Sequence, residues 1–150
     1  MLIRKIFVLL FMLFNHVVDD FYLQGVLAKM KQREWWIDQL KDVPDTSYRK
    51  TLYNHDYLMA LFIHAFSWTF MIHLPLLLFY SHCLEQHVIL FLVGFLLNLM
   101  IHFWVDHLKA NLYSINLVKD QLIHLVQVFV TWTVWIGAFD QPIYFGYQVW

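Results

Sequence analysis

Long apolar runs alternate with shorter polar stretches along the chain, and four of the runs reach membrane-spanning length. They cover residues 3–28, 57–80, 88–109 and 120–139. A helix needs about 20 apolar residues to cross about 30 Å of hydrocarbon, and a backbone in lipid satisfies its own hydrogen bonds as helix or closed barrel. The pattern therefore predicts an all-α integral membrane protein, a single-domain up-down bundle of four transmembrane helices spanning residues 1–150. Pro75 falls inside the second helix and is expected to kink it. The connections are unequal: 29–55 is a long polar loop, whereas 81–87 and 109–119 are short, which favours antiparallel neighbours. Within the long loop, residues 30–42 put Trp36, Ile37 and Leu40 on one face and predict a short interfacial amphipathic helix. Val43-Pro44-Asp45-Thr46-Ser47 predicts a turn.

Composition agrees with this pattern. The chain is 61% hydrophobic and 14% charged, with a mean hydropathy of +0.55, whereas soluble domains run near one quarter charged. Aromatic residues make up 19%, and Trp and Tyr suit the membrane interface. A net charge of −1 gives no electrostatic footprint for nucleic acid. Cys83 is the sole cysteine, so neither an internal disulfide nor a Cys-based zinc site is expected. Arg4-Lys5 and the run Ile6 to Phe14 open like a signal peptide, but no small-residue cleavage site follows. Helical spacing instead continues through Asn15, His16 and Asp20, and the run reads as the first transmembrane helix. Lys29, Lys31, Arg33, Lys41, Arg49 and Lys50 in the long loop, with Lys109 and Lys119, outweigh Arg4 and Lys5. The positive-inside rule then places the long loop in the cytoplasm and both termini outside.

Polar residues inside the apolar runs carry the chemistry. His16, Asp20 and Gln24 stand four residues apart on the first helix, and Asn98, His102 and Asp106, with Lys109 a further turn on, form a stripe on the third. Asp120, His124 and Gln127 line the fourth helix, and His64 sits in the second. At 1.5 Å per residue from the long-loop side, Gln24, Asp20 and His16 lie roughly 6 to 18 Å deep, and His64 about 12 Å. On the same scale Asp106 and His102 lie roughly 5 to 10 Å deep, and His124 about 8 Å, so an up-down bundle gathers them in one layer. An ionisable side chain in a transmembrane helix costs about 2.5–3.5 kcal/mol and is expected to face inward and pair.

His and Asp one turn apart suit Zn²⁺, Mn²⁺ or Fe²⁺, and the layer has residues enough for one or two divalent ions. The expected metal ligands are His16, His64, His102, Asp120 and His124, with Asp20 and Asp106 ligating or acting as general base. Gln24, Asn98, Lys109, Gln121 and Gln127 are expected to hold substrate or to support the ligands from outside. A metal-activated water could then attack an ester or phosphodiester. The expected activity is a metal-dependent hydrolase acting on a lipid-linked or phosphorylated substrate in the bilayer. The competing expectation is a membrane component without enzymatic activity, a proton or ion conduit or an assembly factor, whose His/Asp layer is a metal-free hydrogen-bonded network. His73, His82 and His87 are expected at the surface, His107 near lipid headgroups, and Asp19 off the main stripe as a supporting group. Lys109 is expected either to snorkel or to bind a phosphate.

These residues also carry a resemblance. His16-Val17-Val18-Asp19-Asp20-Phe21-Tyr22-Leu23-Gln24 with Lys29 and Lys31, His64, Asn98 to Asp106 with Lys109, and Asp120 to His124 together resemble the domain of unknown function 3307 family. The resemblance runs from the first helix through the fourth. It implies a bacterial or phage multi-pass membrane protein, placed in the bacterial inner membrane, and it leaves the chemistry open. The pattern is more loosely similar to membrane-bound metal-dependent hydrolases that carry His and Asp on transmembrane helices. The Trp-rich stretch after Lys31 and the aromatic stretch Tyr144 to Trp150 have no counterpart in that resemblance.

Overall fold

The protein is described by a computed structural model covering residues 2–41, 51 and 53–139. It is all-helical over these residues. The elements are α1 (Leu2–Val17), a π-helical turn (Val18–Leu23), α2 (Leu27–Met30), α3 (Arg33–Gln39), α4 (Asp56–Leu84), α5 (Val88–Ala110) and α6 (Leu117–Phe139). Four stretches are long and apolar enough to cross a membrane: Leu2–Leu23, Asp56–Ser81, Val88–Ala110 and Leu117–Ala138. The expected turn at 43–47, residue 42 of the expected interfacial segment, the aromatic stretch 144–150 and the side chain of His82 lie outside the described residues.

Helix α4 is the hub, packing against α1, α5 and α6. The interior has two tiers. One is dry, built by Val8, Met12, Trp68, Ile72, Leu76, Val128, Trp135 and Ile136. The other is polar, and His16, Asp19, Lys31, His64, His102, Asp106, Asp120 and His124 are all buried in it. Outward faces reverse this order. Phe62, Ile63, Phe66 and Phe70 on α4, and Leu92, Val93, Leu96, Leu97, Met100 and Ile101 on α5, are exposed.

Several expectations are corrected. The first helix does not run to residue 28. It ends in the π turn at Leu23, and Gly25 then takes a left-handed φ of +49°, the conformation in which glycine commonly terminates helices. The chain re-enters helix at Leu27 and folds back across the end of the bundle. A continuous helix would instead carry Lys31 about 12 Å further along the axis. Among the described residues of the interfacial segment, α3 covers Arg33–Gln39, and Ile37 is exposed. Hydrogen bonds hold the start of this segment in place. Asn111 accepts from the Arg33 backbone N–H at 2.7 Å and donates to the Lys31 carbonyl at 3.0 Å, while the Arg33 guanidinium reaches Asn54. Pro75 sits within α4, but the non-helical backbone falls at Tyr80 (φ −132°, ψ 21°). His73 is not at the surface. It is fully buried between Phe91 and Phe95, and its Nδ1 faces the Thr69 carbonyl at 2.8 Å.

Gly25 gives the first testable consequence. A Cβ there would meet only the Leu23 carbonyl, at an ordinary 3.9 Å, so the penalty comes from backbone conformation alone. Gly25→Ala is expected to cost about 1–2 kcal/mol, read as a lowered unfolding midpoint of the detergent-purified protein. An unchanged midpoint would show that the turn is not held in this conformation.

Candidate functional site

The polar tier is assembled from the last turns of the first helical span and α5, the first turns of α6, His64 of α4, and Lys31 at the end of α2. The π turn matters first. A π-helical segment carries more residues per turn than an α-helix, which lets the adjacent Asp19 and Asp20 both point inward. The side chains of Asp19 and Asp20 are 2% and 4% exposed. Strict α-helical spacing put only one of them on the buried stripe; the structure buries both, with Asp19 behind His64 rather than in either metal-spaced set.

Three imidazoles form a row. His102 Nε2 lies 3.1 Å from His64 Nε2, and His102 Nδ1 lies 3.2 Å from His124 Nδ1. Carboxylates surround the row. His64 Nε2 is 3.2 Å from Asp20 Oδ1 and 3.4 Å from Asp106 Oδ2. His124 Nε2 is 3.4 Å from both Asp106 Oδ1 and Asp120 Oδ1. Asp106 thus offers one oxygen to each end of the row. Trp68 lies flat against His102, ring centroids 4.2 Å apart, and closes the site toward the dry tier.

The imidazoles are held from behind. Gln127 Oε1 lies 3.0 Å from His124 Nδ1, while its amide donates to Asn98. Asn98 in turn donates to Thr131 Oγ1 at 2.8 Å. Asp19 accepts from Ser67 at 2.6 Å and stands 3.5 Å from His64 Nδ1. These contacts leave the Nε2 atoms of His64 and His124 facing the carboxylates, the arrangement by which outer groups orient ligating histidines. Gln121 donates to Asp20 Oδ2 at 2.7 Å, and Gln24 donates to the Asp20 carbonyl and carboxylate.

Two sets of side chains have the spacing a metal ion needs: Asp20, His64 and His102, and His102, Asp106 and His124. His16 stands outside both. Its Nδ1 accepts a hydrogen bond from Trp68 Nε1 at 2.8 Å, and it is 3.9 Å from Asp20. Asp120 is beside His124, with its Oδ2 bound by Lys109. The Lys109 ammonium thus makes an ion pair. His107 lies off the stripe, as expected, half-buried and stacked on Tyr57 at 5.9 Å.

Lys31 is the site residue that spacing alone missed. Its side chain is 8% exposed, and its ammonium contacts Asp106 Oδ2. The signal was present in Gly25, whose left-handed preference marks the end of one helix and the fold-back of the next few residues. Trp68, part of the dry tier, also reaches the site, since its indole donates to His16 Nδ1.

The electrostatics of the tier do not balance on these residues alone. Lys31 and Lys109 oppose four buried carboxylates, Asp19, Asp20, Asp106 and Asp120. Two negative charges remain if the histidines are neutral, a large cost in a low-dielectric interior. Hydrogen bonding is incomplete as well. His124 Nε2, Asp120 Oδ1 and Asp19 Oδ2 are buried without a hydrogen-bond partner among the described residues. A neutral imidazole has one donor and one acceptor, and the row places ring nitrogens against each other and against carboxylates. No protein-family model matches the sequence, and no curated protein and no solved structure matches it, so the family resemblance rests on the sequence motifs alone.

Proposed function

We propose that this chain crosses a membrane four times as an up-down bundle and that its buried His/Asp tier binds a divalent metal ion. Apolar outward faces around a polar interior support the first part, because such faces are stable only when covered by lipid or protein. The Lys/Arg-rich loop puts the polar end of the bundle on the cytoplasmic side.

The observation that carries the metal reading is the spacing of ligand atoms around His64. Atoms bound at about 2.0–2.2 Å to a tetrahedral ion stand about 3.3–3.6 Å from each other. His64 Nε2 stands 3.1 Å from His102 Nε2 and 3.2 Å from Asp20 Oδ1, and these three side chains form one of the two metal-spaced sets. A divalent ion at their centre also cancels the two uncompensated charges. His64 and His102 would ligate with Asp20, and the metal would supply Lewis acidity toward a water or ester oxygen. Asp20, which also lines a cavity at the end of the bundle, is placed to take a proton from water. Hydrolysis of a substrate entering from the polar end is the reaction this supports.

The metal-free network keeps one specific observation in its favour. Lys31 already contacts Asp106 Oδ2, and two protonated histidines would balance the remaining charge. A continuous conduit fits less well, since the dry tier fills the opposite half of the interior. Elemental mass spectrometry of the protein purified without chelator separates these readings. Near-stoichiometric zinc, manganese or iron in the wild type, lost in His64→Ala and retained in His73→Ala, is the expected result. Wild-type protein that holds no metal even after reconstitution would leave the hydrogen-bonded network as the better description.

A further inference from the structure

The two metal-spaced sets share His102. A neutral imidazole keeps one free lone pair, so His102 ligates an ion in one set at a time. The first set, with Asp20 and His64, reaches the end of the bundle. Asp20 is also in the wall of a cavity of about 310 Å³ that opens there, and no member of the second set lines that cavity. The second set, with Asp106 and His124, has its ligand atoms in place as well. His124 Nε2 is buried without a hydrogen-bond partner and lies 3.4 Å from Asp106 Oδ1, which is 3.9 Å from His102 Nε2. Ligands of one tetrahedral ion stand about 3.3–3.6 Å apart, so both separations need little adjustment. Gln127 Oε1, 3.0 Å from His124 Nδ1, holds that ring from behind.

What separates the two sets is the partner of each carboxylate. Asp20 accepts from the neutral amides of Gln24 and Gln121, which leaves its charge for an ion. Asp106 already carries a cation, the Lys31 ammonium on its Oδ2. That lysine is held there by the backbone. The left-handed Gly25 turns the chain back across the end of the bundle, and Asn111 donates to the Lys31 carbonyl at 3.0 Å. An ion on Asp106 Oδ1 would share one carboxylate with this ammonium, two like charges a few ångström apart in a low-dielectric interior. The second place is closed to an ion for as long as Lys31 stays on Asp106.

We infer that the tier offers two alternative places to a single divalent ion, and that Lys31 is the positioning residue that closes the place formed by His102, Asp106 and His124. The ion is thereby kept with Asp20, His64 and His102, beside the cavity. This rests on the metal reading above and adds what holds the ion where a substrate can reach it.

The test counts Mn²⁺ per chain by elemental mass spectrometry in the full-length, detergent-purified protein after dialysis against Mn²⁺ alone. Wild type and Lys31→Met are each expected to hold about one ion, and His64→Ala to fall to background, about tenfold lower or more. The deciding variant is Lys31→Met/His64→Ala. It is expected to recover about one ion per chain, because the second place is then open. Pulsed electron paramagnetic resonance should find about two imidazoles on that ion, from His102 and His124, where a first place lacking His64 could supply only about one. Adding His124→Ala is expected to abolish the recovery. Lys31→Arg/His64→Ala, which keeps the charge, is expected to stay empty. Only variants that elute as the wild type does in gel filtration are counted, and Lys31→Gln/His64→Gln replaces the deciding pair where that pair does not fold. A double variant as empty as His64→Ala, recovery that survives His124→Ala, or two ions in Lys31→Met would each overturn the inference while leaving the metal reading intact. Wild-type protein without metal, or His64→Ala that keeps it, would overturn both.

Discussion

Replacing His102 with alanine is expected to reduce metal retention to background, as for His64 and unlike His73. His102 occupies the middle of the imidazole row, one ring nitrogen toward His64 and the other toward His124, and it belongs to both sets of metal-spaced side chains. Substituting an outer residue that merely orients a ligand costs about 10–100-fold in affinity, which is the range expected for Gln127→Ala. Losing His102 should exceed that range. Because the residue is fully buried against Trp68, alanine also leaves a cavity. His102→Gln keeps most of the volume and serves as the control: it should elute as the wild type does in gel filtration and still lack metal. Retention of metal by both variants would remove His102 from the site.

Lys31→Met is expected to destabilise the metal-free protein by about 3–5 kcal/mol, the usual cost of removing one partner from a buried ion pair. Methionine keeps the apolar stem, so the loss reports the missing charge opposite Asp106. With metal bound the same substitution should cost far less, because the ion then faces the Asp106 carboxylate. Denaturant unfolding of the detergent-solubilised variant, with and without metal, gives both numbers. A metal-free variant as stable as the wild type would show that Lys31 is not the counter-ion of Asp106. Equal losses in the two states would show that the ion does not reach Asp106.

Much of this arrangement could be read from residue spacing. His102 and Asp106 on one helix, and Asp120 and His124 on another, lie one turn apart, and depth below the loop side put them in the layer where the structure finds them. The four long helices followed from hydropathy because a run of about 20 apolar residues has few alternatives. What spacing missed has one common cause, the assumption of uninterrupted α-helix. The π turn brings Asp19 inward beside Asp20, and the left-handed Gly25 returns Lys31 to the site instead of leaving it in a loop. The burial of His73 had no signal in its spacing. It sits one turn from Thr69, whose carbonyl it meets, on the face of α4 that packs against Phe91 and Phe95, and helix pairing decides that face.

The assignment of Lys109 shows a second limit. Lysine near the end of an apolar helix usually reaches toward headgroups. Here Asp120 stands within reach at the start of the next helix, a neighbour created by the short connection between α5 and α6. Pairs of this kind depend on how two helix ends face each other, which sequence periodicity does not specify. The same holds for Arg33, Asn54 and Asn111, which fasten the segment after Gly25 across the end of the bundle.

X-ray absorption at the metal edge of the purified protein examines the central proposal most directly, because it reports the ligands and not only the presence of an ion. Nitrogen and oxygen neighbours at about 2.0–2.2 Å, with the multiple-scattering pattern of two imidazoles and no sulfur, are expected. A bound metal without imidazole scattering, or with sulfur in its shell, would place the ion elsewhere and contradict the assignment of the His/Asp tier as a metal centre.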